Sequence, residues 1–143
     1  MDKMTLSRVS VFTDPARLDE LAKRAASGRD ILLLKKPEKT MILLMIREPV
    51  KGSRFYLGEA LAAHCVVEID GVRGASVQLG DDMGKTLSAA VLDAAHTGNF
   101  PGFEAVEAEL MELDATRAAE AAGRASDVRS TQVRFHIMEG KEL

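Results

Sequence analysis

Asp70-Gly71 constrains what this chain can fold into more than any other pair of residues. It lies between two runs with alternating apolar positions, Arg54 to Ile69 and Val72 to Leu79. The tight turn that joins antiparallel strands needs positive φ at both central residues, which glycine adopts freely and aspartate tolerates. The pair therefore predicts a β-hairpin. In the run before it, Leu61, Ala63, Cys65, Val67 and Ile69 point one way, and Ala62, His64, Val66 and Glu68 the other. Gly74, inside the following run, is expected to mark a bulge.

Around this hairpin the sequence supplies further elements. Asp14 is a good N-cap, Pro15 suits the first helical position, and Leu18, Leu21, Ala22 and Ala25 share a face until Gly28, which predicts a helix over 14–27. Ile31 to Leu34 and Thr40 to Ile46 are short β-compatible runs, and the KKPEK between them reads as a hairpin connection. As nearly unbroken apolar stretches, they are expected to be buried on both faces or covered by a partner. A helix is expected after Gly80-Asp81-Asp82, with Met83, Leu87, Ala90, Val91 and Ala94 at helical spacing and an end at Thr97-Gly98. After the NFPGF loop, Glu104 to about Arg129 reads as helix with an interruption near Asp114. Val133, Phe135 and Ile137 then alternate as a last strand. The order predicts an α+β fold: an antiparallel meander of four to five strands, packed with an N-terminal helix and two to three helices in the C-terminal half. The length, 143 residues, fits a single domain over 1–143.

Composition narrows the function classes. Aromatics are 4% of the chain, so the core must be aliphatic. A net charge of -3 with interspersed signs gives no field to hold a polyanion, so nucleic acid is not an expected partner. The longest apolar run, Met41 to Ile46, is far short of the roughly 20 residues of a membrane helix, and the start MDKMTLSRV lacks a signal-peptide apolar region. A cytoplasmic protein is expected. A single cysteine, Cys65, excludes any disulfide within the chain and any cluster that needs several thiolates from it.

Candidate reactive groups are few. GDDMGKT, Gly80 to Thr86, sits where a phosphate-binding loop would sit, with Lys85 as the nucleotide-contacting candidate. It is one residue shorter than such a loop and carries Asp81 and Asp82, so helix capping is the stronger reading. His64 and Cys65 are adjacent, which in a strand sends them to opposite faces, and Cys65 reads as a small buried hydrophobe. His96 falls at a helix end and His136 on the polar face of the last strand, so the three histidines form no triad. RFYLGE, with Arg54, Phe55, Gly58 and Glu59, is a polar-aromatic cluster that is either solvated or in contact with a ligand or partner. The Ala-rich Arg117 to Ser126 reads as a packing face, within the chain or across an interface.

Several segments in order, RFYLGEAL at 54–61, IDGVRG at 69–74, VQLGDD at 77–82, DAA at 93–95 and RSTQVRFHIMEG at 129–140, resemble the PhnG family of the phosphonate carbon-phosphorus lyase system. The resemblance covers most of residues 52–140. It implies an obligate hetero-oligomer with PhnH, PhnI and PhnJ type subunits and the ATPase-like PhnL. It further implies support for the displacement of adenine from ATP by an alkylphosphonate, giving the ribose 1-phosphonate 5-triphosphate, as a transferase subunit in organophosphonate catabolism. The iron-sulfur cluster and S-adenosylmethionine of the pathway belong to PhnJ, and no cofactor is expected on this chain alone. Arg54, Phe55, Gly58, Glu59, Phe135, Met138 and Gly140 are the contact candidates the resembling segments provide, and no catalytic residue or metal ligand is expected. The alternatives are a small nucleotide-binding protein using residues 80–86 and a homodimeric interaction module.

Overall fold

The computed structural model describes residues 1–131, and side chains through residue 127. Its elements follow in the order α1 (Lys3–Phe12), α2 (Pro15–Ala25), β1 (Ile31–Arg47), β2 (Arg54–Ile69), β3 (Val72–Leu79), α3 (Met83–Gly98) and α4 (Phe103–Thr131). The fold is α+β, with one antiparallel sheet in the order β1-β2-β3.

Each boundary has a local cause. Asp14 accepts from the N–H groups of Ala16 and Arg17 ahead of α2, and Asp82 accepts from that of Lys85, at 3.0 Å, ahead of α3. Both use a carboxylate to satisfy amides that have no partner inside the helix. α3 stops at Asn99, which takes the left-handed conformation at φ 46°. The β2–β3 turn has φ of 51° at Asp70 and 80° at Gly71, as the dipeptide requires. α1 was not anticipated. Its buried apolar stripe is only Leu6 and Val9, too short for periodicity to reveal, yet Asp2 caps it through the Thr5 N–H at 2.7 Å.

Four expectations are corrected. Residues 31–47 form one strand, not two joined by a hairpin. Proline ends a central strand because it removes a ladder donor, but among the described residues β1 lies at the sheet edge, and the register with β2 slips on either side of Lys35, so Pro37 is absorbed at an irregularity. Nor are these runs buried within the chain: Ile31 to Leu34 are each more than 40% exposed. At Gly74 there is no bulge, since β2 and β3 pair without interruption from Ile69↔Val72 to Ala62↔Leu79. Finally, α4 runs through Asp114 unbroken. Aspartate lowers helix propensity by well under about 1 kcal/mol, and here Arg8 grips its carboxylate with two bonds, at 3.2 and 2.9 Å.

Three strands stand among the described residues, where four to five were expected. Two expected strands are halves of β1, and the one over 133–137 lies outside the described residues.

The helices cover one face of the sheet's inner half. Leu18 and Leu21 of α2, Cys65, Val67 and Ile69 of β2, and Leu92 of α3 have no exposed surface, and Phe103 and Leu110 of α4 close the layer. The alternation read in β2 is observed from Ala63 to Ile69, with Cys65, Val67 and Ile69 buried and His64, Val66 and Glu68 half-buried, but not at its start, where Leu61 is exposed and Ala62 buried. α3 comes very close to β3 through its alanines. A Cβ placed on Gly74 would stand 2.5 Å from the Ala94 amide nitrogen and 2.7 Å from the Ala94 Cβ, and nearer still to the Ala90 carbonyl oxygen. Gly74 is therefore the seat of a helix.

Candidate functional site

β3 pairs with β2 only as far as Ala62. Beyond that point β1 and β2 continue as a two-stranded ribbon, Thr40 to Arg47 against Arg54 to Ala62. At about 3.4 Å per residue, eight residues reach about 27 Å beyond the three-stranded sheet. The tip is organised by Glu48, whose carboxylate accepts from the N–H groups of Val50 and Lys51 at 2.9 and 2.6 Å, while its amide donates to the Ser53 carbonyl at 2.7 Å.

All four contact candidates within the described residues fall on this ribbon. Arg54 and Phe55 pair with Arg47 and Ile46, and Gly58 and Glu59 pair with Leu44 and Leu43. Gly58 has φ of 154°, a conformation side-chain-bearing residues rarely take, beside the point where Leu57 is squeezed out of register between Leu44↔Gly58 and Met45↔Tyr56. Strand alternation places Met41, Leu43, Met45, Tyr56, Glu59 and Leu61 on one face. The Tyr56 hydroxyl donates to Glu59 across it at 3.4 Å. Ile46 and Phe55 lie on the other, with half-buried Ile42 and Leu44 above the small residues Ala60 and Gly58.

Sequence reading caught the polar-aromatic residues of this surface and left out its aliphatic majority. Eight apolar side chains of the ribbon are between 41% and 59% exposed. The signal lay in the unbroken run Met41 to Ile46, since no face of a two-stranded ribbon can hide six consecutive apolar residues. Charge is uneven too. Residues 35–62 carry six Lys or Arg against three Asp or Glu, in a chain of net charge -3. Lys35 pairs with Glu38 at 3.3 Å. Among the described residues, Lys36, Lys39, Arg47, Lys51 and Arg54 reach no carboxylate.

Elsewhere, potentially reactive groups are engaged or isolated. The Lys85 ammonium donates to the Val11 carbonyl, the Lys85 and Thr86 amides are held by Asp82, and the Gly80 amide donates to Leu61 at 3.0 Å. Three amides of residues 80–86, and the lysine, are thus engaged by the fold and not left for a phosphate. Burial pushes the Cys65 thiol up from its ordinary pKa, away from the reactive thiolate. His96 Nε2 lies 2.7 Å from the Met1 carbonyl oxygen, and its ring meets Phe103 edge-on. A cavity of about 260 Å³ between α1, β3 and α3 contains one carboxylate, Asp93, which already accepts from the Ala75 amide at 3.0 Å. Among the described residues no three His, Cys, Asp or Glu side chains gather as metal ligands, and no helix is long and apolar enough to cross a membrane. His136, Phe135, Met138 and Gly140 lie outside the described residues.

A family model described as phosphonate metabolism protein PhnG matches residues 4–140. No curated protein matches the chain.

Proposed function

The chain belongs to the PhnG family of phosphonate metabolism proteins, and from that premise we propose that it is a structural subunit of the carbon-phosphorus lyase core complex. Its partners are subunits of the PhnH, PhnI and PhnJ types, with PhnL. In this role it supports the step in which a phosphonate oxygen attacks the anomeric carbon of ATP's ribose. The new C–O bond forms as the bond to N9 of adenine breaks, and the departing ring takes up a proton. The triphosphate stays on the sugar.

One observation carries the reading: among the described residues, eight half-exposed apolar side chains lie along one two-stranded ribbon, apart from any cluster of reactive groups. A displacement at a sugar carbon needs preorganised charge around the triphosphate and the departing base. On this reading the partners supply that charge, and this chain supplies surface that holds them in place. ATP is then bound by the assembly, the iron-sulfur cluster and S-adenosylmethionine reside on the PhnJ type subunit, and the assembly works in the cytoplasm, where ATP is plentiful.

The test is adenine release from ATP in the presence of methylphosphonate, followed by chromatography. The purified chain alone should release none. The co-expressed set of subunits should release adenine, and leaving this chain out should abolish both release and co-purification. Turnover by the isolated chain, or an undiminished assembly without it, would overturn the proposal.

A further inference from the structure

The ribbon poses a physical problem that the described residues do not solve. A two-stranded hairpin is at best marginally stable in water without a third strand or a packed helix, and among the described residues neither is present beyond Ala62. Both faces carry exposed apolar side chains, and the outer edges of β1 and of residues 54–61 in β2 have no neighbouring strand among the described residues.

We infer that the ribbon of residues 40–62 is a docking arm that inserts between two apolar walls of a heterologous protein subunit, whose rim is acidic. The inference rests on the subunit role above and adds which element docks and what chemistry receives it. Three observations select this occupant. The eight half-exposed apolar side chains present about 100 Å² each, or about 800 Å² together, which matches one partner's share of a stable protein–protein interface. Apolar groups on both faces call for a cleft, because a lipid surface or a flat protein surface would wet only one. Around them Arg47, Lys51 and Arg54 meet no carboxylate among the described residues, and an acidic rim would pair them.

A second copy of this chain fits poorly. Two arms meeting tip to tip would bring Arg47 and Arg54 together with their like. Three cavities among the described residues hold only about 260, 230 and 170 Å³, too little to admit a ribbon.

The experiment compares affinity-tagged full-length chains co-expressed with the subunits encoded beside it. One variant, Leu43→Glu with Met45→Glu, spoils the first face, and Ile46→Glu with Phe55→Glu spoils the second. Arg47→Glu with Arg54→Glu reverses the rim charge, and Met111→Glu, on exposed apolar surface of α4, serves as control. None of these side chains belongs to the core, so circular dichroism should show native helix content and melting throughout. Each face variant should lower co-purified partner at least tenfold, the charge variant should do so more strongly at low salt, and the control should match wild type. Loss from only one face would refute insertion between two walls. If wild type captures partners and every arm variant does too, the arm is refuted while the subunit role stands. If wild type captures none, both fall. A wild-type homodimer that the arm variants disrupt, or arm-dependent binding to anionic phosphatidylglycerol vesicles, would also overturn the inference by naming a different occupant.

Discussion

Replacing Gly74 by alanine adds one methyl group at the closest approach in the fold. The new carbon would sit 2.5 Å from the Ala94 nitrogen, where carbon and nitrogen normally stay more than about 3 Å apart, and closer still to the Ala90 oxygen. Two of its three neighbours are helix backbone, so no rotamer change can make room. Either α3 lifts from β3 or the strand bows, and both open space around Leu92 and Ala94, which have no exposed surface. Overpacking a tight core destabilises by about 1–3 kcal/mol, and a backbone obstacle belongs at the upper end. For a chain of this size, each kcal/mol lowers Tm by about 2–4 °C, so Gly74→Ala should melt about 6–12 °C below the parent. Gly84→Ala is the matched control. Its added methyl meets only the Asp82 carboxylate, 3.8 Å away, in the first turn of α3. There alanine should be neutral or stabilise by up to about 1 kcal/mol. Thermal melts followed by circular dichroism and by differential scanning calorimetry would read both. A Gly74→Ala protein melting within about 1 °C of the parent would refute the claim that helix and strand touch through their backbones.

Asp82→Ala should cost about 1 kcal/mol in urea denaturation by removing the cap on α3. Cys65 should resist a thiol reagent in the native state and react at the rate of a free thiol in denaturant. Rapid labelling without denaturant would mean that the β2–α3 layer is not closed. The Asp114 carboxyl is held below its ordinary pKa, chiefly by the hydrogen bond from Arg8 and then by Arg117. Its contribution to stability is therefore fully present above the ordinary carboxylate pKa and disappears as pH falls through the lowered, folded-state value. Asp114→Asn should accordingly flatten the decline in stability between about pH 5 and pH 2, measured by urea titration at each pH.

Where sequence reading succeeded, local chemistry and burial pointed the same way. Asp70-Gly71 forced its turn, Asp14 and Asp82 capped their helices, and the alternation in β2 named its buried side because α2 and α3 cover that side. It failed where a residue's meaning depends on its position in the sheet. Pro37 reads as a break unless one knows that β1 is an edge, and Gly74 reads as a bulge unless one knows that a helix lies above it. Asp114 reads as a helix end until Arg8, more than a hundred residues earlier, is brought against it. The site divides the same way. Arg54, Phe55, Gly58 and Glu59 were visible as an unusual cluster, and the aliphatic side chains around them read equally as core or as a surface covered by a partner, because composition alone cannot distinguish a core strand from one that waits for cover.

The Met41–Ile46 segment also bears on synthesis. Unpaired strand edges flanked by aliphatic side chains are templates for indiscriminate pairing between chains. A copy made in excess of its recipients would carry an adhesive spur, prone to clumping and to proteolysis. The production of such a protein has to be matched in number and in timing to whatever shields that spur.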